Sequence, residues 1–485
     1  MHLLRAGIGL AVLLVSAAAV TAPGGARSPD FAHYFVDRTM RVDYYHTGDA
    51  RTEIISLDRV VSDGPWAGSR TRLLDDTGLG KYLYEVIDAE TGALIYSRGF
   101  ASIYGEWETT AEAEETTRTF HESVRFPWPK APVRIVLKKR DARNRFVEFA
   151  ALAVDPAARE VNPADPPAVG TVWTLFENGP PQQKVDIVLL GDGYTAAELP
   201  AFHADARRLV EALFSYEPYK SRRRDFNVRA IDLAVQESGV TRPHAGKYRR
   251  TTIGTQYSIF DSERYVLTYD NRTLRDVLSA VPYEAVAILV NEKQYGGGGI
   301  FNDMTTAAVG SAFADYLFVH EFGHHFAGLG DEYYTSPVAY ETGAVDLVEP
   351  WEPNITALHD PADLKWRDLV TPGTPIPTSW GKAEFEEYAR AMQERRQRLI
   401  ADQAPEEEFD ALFREQRERE LEMLGAMPNA GRVGAFEGAA YEPRGLYRPE
   451  IDCIMFSRNM TRFCRVCQRA IERVIDLYAG PANGP

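Results

Sequence analysis

In the stretch His320-Glu321-Phe322-Gly323-His324-His325-Phe326-Ala327-Gly328-Leu329-Gly330-Asp331-Glu332, two histidines stand four residues apart with a glutamate beside the first. On a helix, residues at that spacing share a face. His320 and His324 can therefore offer two imidazole nitrogens to one metal ion, with Glu321 leaning over the same point. A zinc ion held by three protein ligands keeps one position for water and raises that water's acidity. Glu321 is then placed to take the proton and deliver it to a leaving amine. Phe313, Leu317 and Phe318 precede the motif at helical spacing and supply a buried side. Gly328 and Gly330 are expected to end the helix as left-handed caps and swing the chain back towards the metal. Asp331 is the acid best placed to follow that turn as third ligand. Glu332 is the alternative, and one of the two acids could instead brace a ligand imidazole. His325 lies about 100° from the His320/His324 face, which suits helix packing or the substrate side better than ligation.

The elements that must position this motif fall into two vocabularies. From Phe31 to Asp155 the pattern is strand-like: Thr39–Tyr45, a hairpin from Tyr82–Ile87 to Ala93–Tyr96, then Val133–Leu137 and Phe146–Phe149 around a basic turn. Short strands with regular turns predict a β-sandwich over residues 28–160, and the basic turn 138–144 reads as a solvated hairpin tip. Pro156, Pro163, Pro166 and Pro167 mark a linker. Beyond it, strands and helices alternate. Val185–Leu190 is a buried-strand run ending in Gly191-Asp192-Gly193, read as a tight turn with Asp192 capping the helix from about Ala196 to Phe214, and strands follow at Phe226–Asp232 and Ala285–Val290. The glycines Gly296–Gly299 before the motif imply a flexible turn, a close backbone approach, or a sheet edge that could pair with an extended substrate. Within residues 382–424, apolar positions at helical spacing and a break at Pro405 predict two amphipathic helices, inserted at the surface beside the site. The expected fold is α+β and multidomain: an N-terminal β-sandwich, then an α/β zinc-peptidase domain over 168–480 carrying the helical insertion.

A net charge of −16 over 485 residues argues against nucleic acid as a partner, since a phosphate backbone needs a basic face. Arg5, the apolar run Ile8–Val15 and the small residues Ser16–Ala22 have the layout of a secretory signal peptide, expected to span 1–26. The run is short for a membrane span and no Cys near it suggests lipidation, so the expectation is a secreted or periplasmic protein without stable membrane insertion. Cys453, Cys464 and Cys467 are the three cysteines. In an oxidising compartment one disulfide and a spare thiol are expected, with the pairing open; a second zinc lacks an obvious fourth ligand beside them.

His320-Glu321-x-x-His324 with Gly328 and Asp331 resembles the elongated motif of the metzincins, with its glycine and third ligand each displaced by one residue. The full stretch to Tyr334 is closer to the bacterial immunoglobulin A peptidase family of zinc metallopeptidases. That resemblance takes in Val185–Thr195, Glu349–Ile355, Phe436–Ala439, Gly445–Pro449 and Asp452–Met455, and the β-rich segment before them resembles the family's N-terminal domain. It implies a metzincin-like peptidase fold, a protein or peptide substrate and zinc, with Met455 as a methionine turn beneath the metal. It does not carry over the immunoglobulin substrate of the family's name. A secreted zinc endopeptidase is the leading expectation. A surface-binding, adhesin-like protein with a structural or vestigial zinc site is the alternative, against which the intact Glu321 argues.

Overall fold

The computed structural model describes residues 28–335, 347–459 and 461–481, so the expected signal peptide lies outside the described residues. The N-terminal part contains eight strands: β1 (Phe35–Gly48), β2 (Glu53–Ser62), β3 (Tyr82–Asp88), β4 (Leu94–Phe100), β5 (Arg118–Pro129), β6 (Val133–Arg140), β7 (Phe146–Val154) and β8 (Val161–Asn162). They form two four-stranded sheets, ordered β5-β1-β2-β8 and β4-β3-β6-β7. β3 alternates buried and half-buried residues along its length, as a strand with one inward face must. Met40, Val42, Val124 and Phe126 of the first sheet share one apolar cluster with Tyr84, Val86, Ile135 and Leu137 of the second. Three single-turn helices, α1 (Phe31–Tyr34), α2 (Ile103–Trp107) and α3 (Ala111–Glu115), belong to the same part of the chain.

A charged group is built into this part. His46 is 1% exposed and its two ring nitrogens face Glu122 Oε2 at 3.0 Å and Glu53 Oε2 at 2.9 Å. Burial alone would favour the neutral imidazole, but the two carboxylates outweigh it and raise the pKa from 6.5 to about 9. Because the folded value is raised, the stabilisation is fully present below pH 6.5 and is lost as pH climbs through 9. It amounts to on the order of 3 kcal/mol. Urea unfolding at pH 6.5 and at pH 9 should show that loss in the wild type and a much smaller one in His46→Gln. Equal losses in both proteins would remove His46 as its source.

After the proline-rich segment the chain builds a six-stranded mixed sheet. Its strands are β9 (Thr171–Phe176), β10 (Val185–Asp192), β11 (Phe226–Asp232), β14 (Ala285–Val290), β15 (Gly297–Ile300) and β16 (Met304–Ala308), ordered β15-β16-β14-β10-β11-β9; β12 (Thr255–Gln256) and β13 (Leu267–Thr268) pair separately. The central four run parallel and the edge strands β9 and β15 antiparallel. β10 and β14 are buried at every residue, which is why they read as continuous apolar runs. The turn after β10 has Gly193 at φ 82°, but Asp192 does not cap the following helix. Thr195 and Glu198 form a capping box instead, and Asp192 Oδ2 accepts from Thr251 Oγ1 at 2.8 Å and Thr255 N at 3.1 Å.

The remaining helices are α4 (Leu199–Leu213), α5 (Asn271–Leu278), α6 (Ala314–Ala327), α7 (Lys382–Ala401), α8 (Glu406–Ala426) and α9 (Arg465–Ala479); a hairpin joins β17 (Phe436–Ala439) to β18 (Glu442–Arg448). α6 lies on β14, β15 and β16 and against α4 and α9. Pro405 caps α8, so the helix pair falls where amphipathic spacing and proline placed it. Among the described residues no helix is long and apolar enough to cross a membrane.

Candidate metal centre

The motif lies on α6, whose N-terminal half buries Leu317, Phe318 and Val319. Gly328 ends the helix in the left-handed region at φ 59°, with its N–H on His324 O at 3.0 Å. Gly330 is not left-handed; it is needed for close approach, because a Cβ there would sit 2.8 Å from Ile355 Cγ1. Asn354 grips this residue from both sides, accepting from Gly330 N at 2.8 Å and donating to Gly330 O at 2.9 Å. The turn thus returns the chain to the helix face. His320 Nε2 lies 3.1 Å from His324 Nε2, and Asp331 Oδ1 lies 3.1 Å from the first and 3.2 Å from the second.

The protonation pattern of this triangle suits an ion. His320 Nδ1 faces Ile454 O at 3.0 Å and His324 Nδ1 faces Leu329 O at 2.5 Å, so in neutral imidazoles the Nδ1 atoms carry the protons. Both Nε2 atoms then present lone pairs towards Asp331 Oδ1, a buried oxygen that receives no hydrogen bond among the described residues. Three acceptors meeting at one point repel unless a cation stands between them. Zinc bonds of about 2.0–2.1 Å at tetrahedral angles put ligand atoms about 3.3–3.4 Å apart, close to the spacing observed. In the metal-free protein, burial of His324 opposes its charge, yet Asp331 and Glu321 hold its pKa at about 10; an entering ion must displace that proton.

Glu321 stands beside the two imidazoles on α6. Burial raises its carboxyl above the ordinary range, with His320 and His324 pulling partly the other way. Tyr441 donates its hydroxyl to Asp331 Oδ2 and lies 3.3 Å from the Tyr333 hydroxyl, while the Tyr333 ring stacks along His320 at 6.2 Å. His325 is a packing residue: Nδ1 donates to Ile300 O and Nε2 accepts from Val286 N, both at 3.0 Å, and burial lowers its pKa to about 4. Met455 is fully buried under the motif, its Sδ 3.1 Å from where a Cβ on Gly323 would be. Glu332 points the other way, to Asn354 Nδ2 at 3.0 Å and to the cysteines. Asn354, which ties the Gly330 backbone to the Glu332 side chain, falls within the Glu349–Ile355 stretch, but nothing local in the sequence assigns it this clamp.

The glycine run is a close approach. β15 crosses so near α6 that a Cβ on Gly299 would lie 2.2 Å from Glu321 O and 2.9 Å from His324 Cβ. Backbone cannot yield there, so Gly299→Ala should cost about 1–3 kcal/mol and lower the thermal midpoint; Gly425→Ala, in open space on α8, should not. An unchanged midpoint in Gly299→Ala would show that strand and helix separate freely. β15 is an edge strand, although Gly297 already pairs with Arg264 and Val266.

A cleft of about 740 Å³ opens over the triangle. Its walls include Lys81, Glu106 and the β6–β7 tip with Arg140 and Asn144, Gly297 and Gly299, the Val348–Glu352 segment, and Met392, Arg396 and Phe413 of α7 and α8. The tip is therefore part of the cleft border, though Arg140 spends its donors on Gly80 O and Asn144 O.

Residues 173–475 match the family model described as IgA Peptidase M64, and residues 30–150 match the Peptidase M64 N-terminus. The chain belongs to the IgA peptidase M64 family. As an M64 protein it is a peptidase with a protein or peptide substrate, and peptidases of this family are metallopeptidases. The M64 assignment covers a mixed α+β chain of several sheets and helices. A search of the curated proteins found no match.

Proposed function

We propose that the protein is a secreted zinc-dependent endopeptidase in which His320, His324 and Asp331 hold the metal and Glu321 is the general base. The observation that supports this most directly is the convergence of the His320 and His324 Nε2 atoms and the buried Asp331 Oδ1, all within 3.2 Å of one another, beside Glu321. Bound there, zinc would raise the acidity of a coordinated water and polarise the scissile carbonyl. Glu321, its carboxyl raised by burial, takes the water's proton and returns it to the leaving amine. Tyr441 and Tyr333 hold Asp331 and His320 in place, and Ile454 O and Leu329 O keep the imidazoles in one tautomer. Met455 beneath α6 serves as a methionine turn, which makes the residues 168–480 metzincin-like, behind a β-sandwich accessory domain over 28–160 and a secretory leader over 1–26. The cleft, bordered by both domains and by α7 and α8, admits an extended chain and favours cleavage away from its ends.

The test is metal removal. Cleavage of an unfolded protein into internal fragments should disappear with chelator and return with added zinc. Cleavage that persists after the His320/His324 metal is stripped would reject the reading. Bound zinc with no fragments from any substrate would favour a surface-binding protein.

A further inference from the structure

The three cysteines, expected to include a disulfide, are all free thiols, fully buried, and they surround Glu332. One ligand atom from each of Glu332, Cys453, Cys464 and Cys467 lies within 4.8 Å of every other. Cys453 Sγ is 4.0 Å from Cys467 Sγ, and Glu332 Oε1 is 3.3 Å from Cys467 Sγ and 3.7 Å from Cys464 Sγ. Zinc–sulfur bonds of about 2.3 Å at tetrahedral angles separate two sulfurs by about 3.8 Å. The fourth ligand that was not legible beside the cysteines thus comes from the far side of the motif turn.

Two further features point to an ion. Glu332 is 0% exposed, and its Oε2 has no hydrogen-bond partner among the described residues, although Asn354 Nδ2 serves Oε1. A carboxylate buried with one oxygen idle is costly as an anion, and a cation on Oε1, the oxygen that faces the Cys464 and Cys467 sulfurs, would offset that cost. The sulfurs, for their part, are served by backbone: Cys453 Sγ accepts from Cys464 N at 3.2 Å, and Cys464 Sγ accepts from Cys467 N at 3.4 Å. Such N–H to sulfur bonds stabilise thiolates, and Cys464-x-x-Cys467 has the ligand spacing of zinc-binding turns.

We propose that Glu332, Cys453, Cys464 and Cys467 hold a second zinc ion, a structural one. Three thiolates select a thiophilic ion, and the carboxylate oxygen favours divalent zinc over cuprous copper. All four positions are filled by protein, so the site is closed and non-catalytic. Its place in the fold gives it a task. It ties the start of α9 and the loop before Met455 to the residue next to Asp331, whose carboxylate must face the imidazoles. Glu332 N also donates to Met455 O at 2.9 Å, so the ion would lock a junction that backbone pairing already starts.

The experiment counts metal in the full-length protein purified without chelator. The wild type should carry two zinc ions per chain, and His320→Ala with His324→Ala should keep one. Cobalt loaded into that double variant should give a thiolate-to-metal charge-transfer band in the near ultraviolet, which nitrogen and oxygen ligands cannot produce. Cys464→Ser with Cys467→Ser, if it folds, should lose the band. A double histidine variant without metal, a cobalt spectrum without the sulfur band, or a disulfide found by peptide mass mapping would overturn the proposal. Any of these can occur in a wild type that remains a chelator-sensitive peptidase, so this inference and the proposed function fail separately.

Discussion

Glu321→Gln should lower the rate of peptide-bond cleavage by about 10²–10⁴-fold, the range expected when a positioned general base is lost, while the protein keeps the metal proposed at His320, His324 and Asp331. The substitution preserves shape and removes only the ability to accept a proton. Glu321 is not among the three groups that converge on the metal point, so its loss should not release the ion. It stands one helical turn short of His324 on a helix pinned from below by Met455 and from the side by β15, so the amide will occupy the carboxylate's place. The decisive measurements are turnover with an unfolded protein and zinc content in the same preparation. Full activity would remove Glu321 from the mechanism. Loss of zinc together with activity would make it a ligand.

Asp331→Ala should release the metal proposed at His320 and His324 and abolish cleavage. Even partners that only brace a ligand are worth about 10–100-fold in metal affinity, and a direct ligand is worth more. The expectation rests on direction: Asp331 Oδ1 lies 3.1 and 3.2 Å from the two Nε2 atoms, whereas Glu332 bonds Asn354 and the cysteine cluster. The companion variant Glu332→Ala should retain the histidine-bound metal, read by chelator-sensitive zinc content, and lose stability. The opposite pattern, zinc kept in Asp331→Ala and lost from the histidines in Glu332→Ala, would reverse the assignment of the two acids.

The alternation of strands in the N-terminal part, the apolar runs of β10 and β14, the two helices split at Pro405 and the His320/Glu321/His324 face of α6 were all legible because each depends on contacts within a few residues. Periodicity is a local signal, and the spacing of the two histidines is itself a statement about one helical turn. The glycine run was ambiguous for the same reason. A glycine records that something approaches closely but not what, and only the packed α6 shows that it is Glu321 O above Gly299. Local sequence favours Asp192 as a cap, but its actual partners, Thr251 and Thr255, lie beyond any local window.

What the chain by itself determined is thus the chemistry on offer: two imidazoles and a carboxylate on one helical face, a turn carrying two acids, and three cysteines close together. The tertiary structure decided how those groups are shared out. Asp331 and Glu332 are neighbours of the same class, and nothing in their order says which faces the histidines. Asn354 clamps the turn, Tyr441 takes Asp331, and the thiols near the C-terminus take Glu332. Each of those partners is distant in sequence, and the orientation of a side chain is set by what packs against it in space.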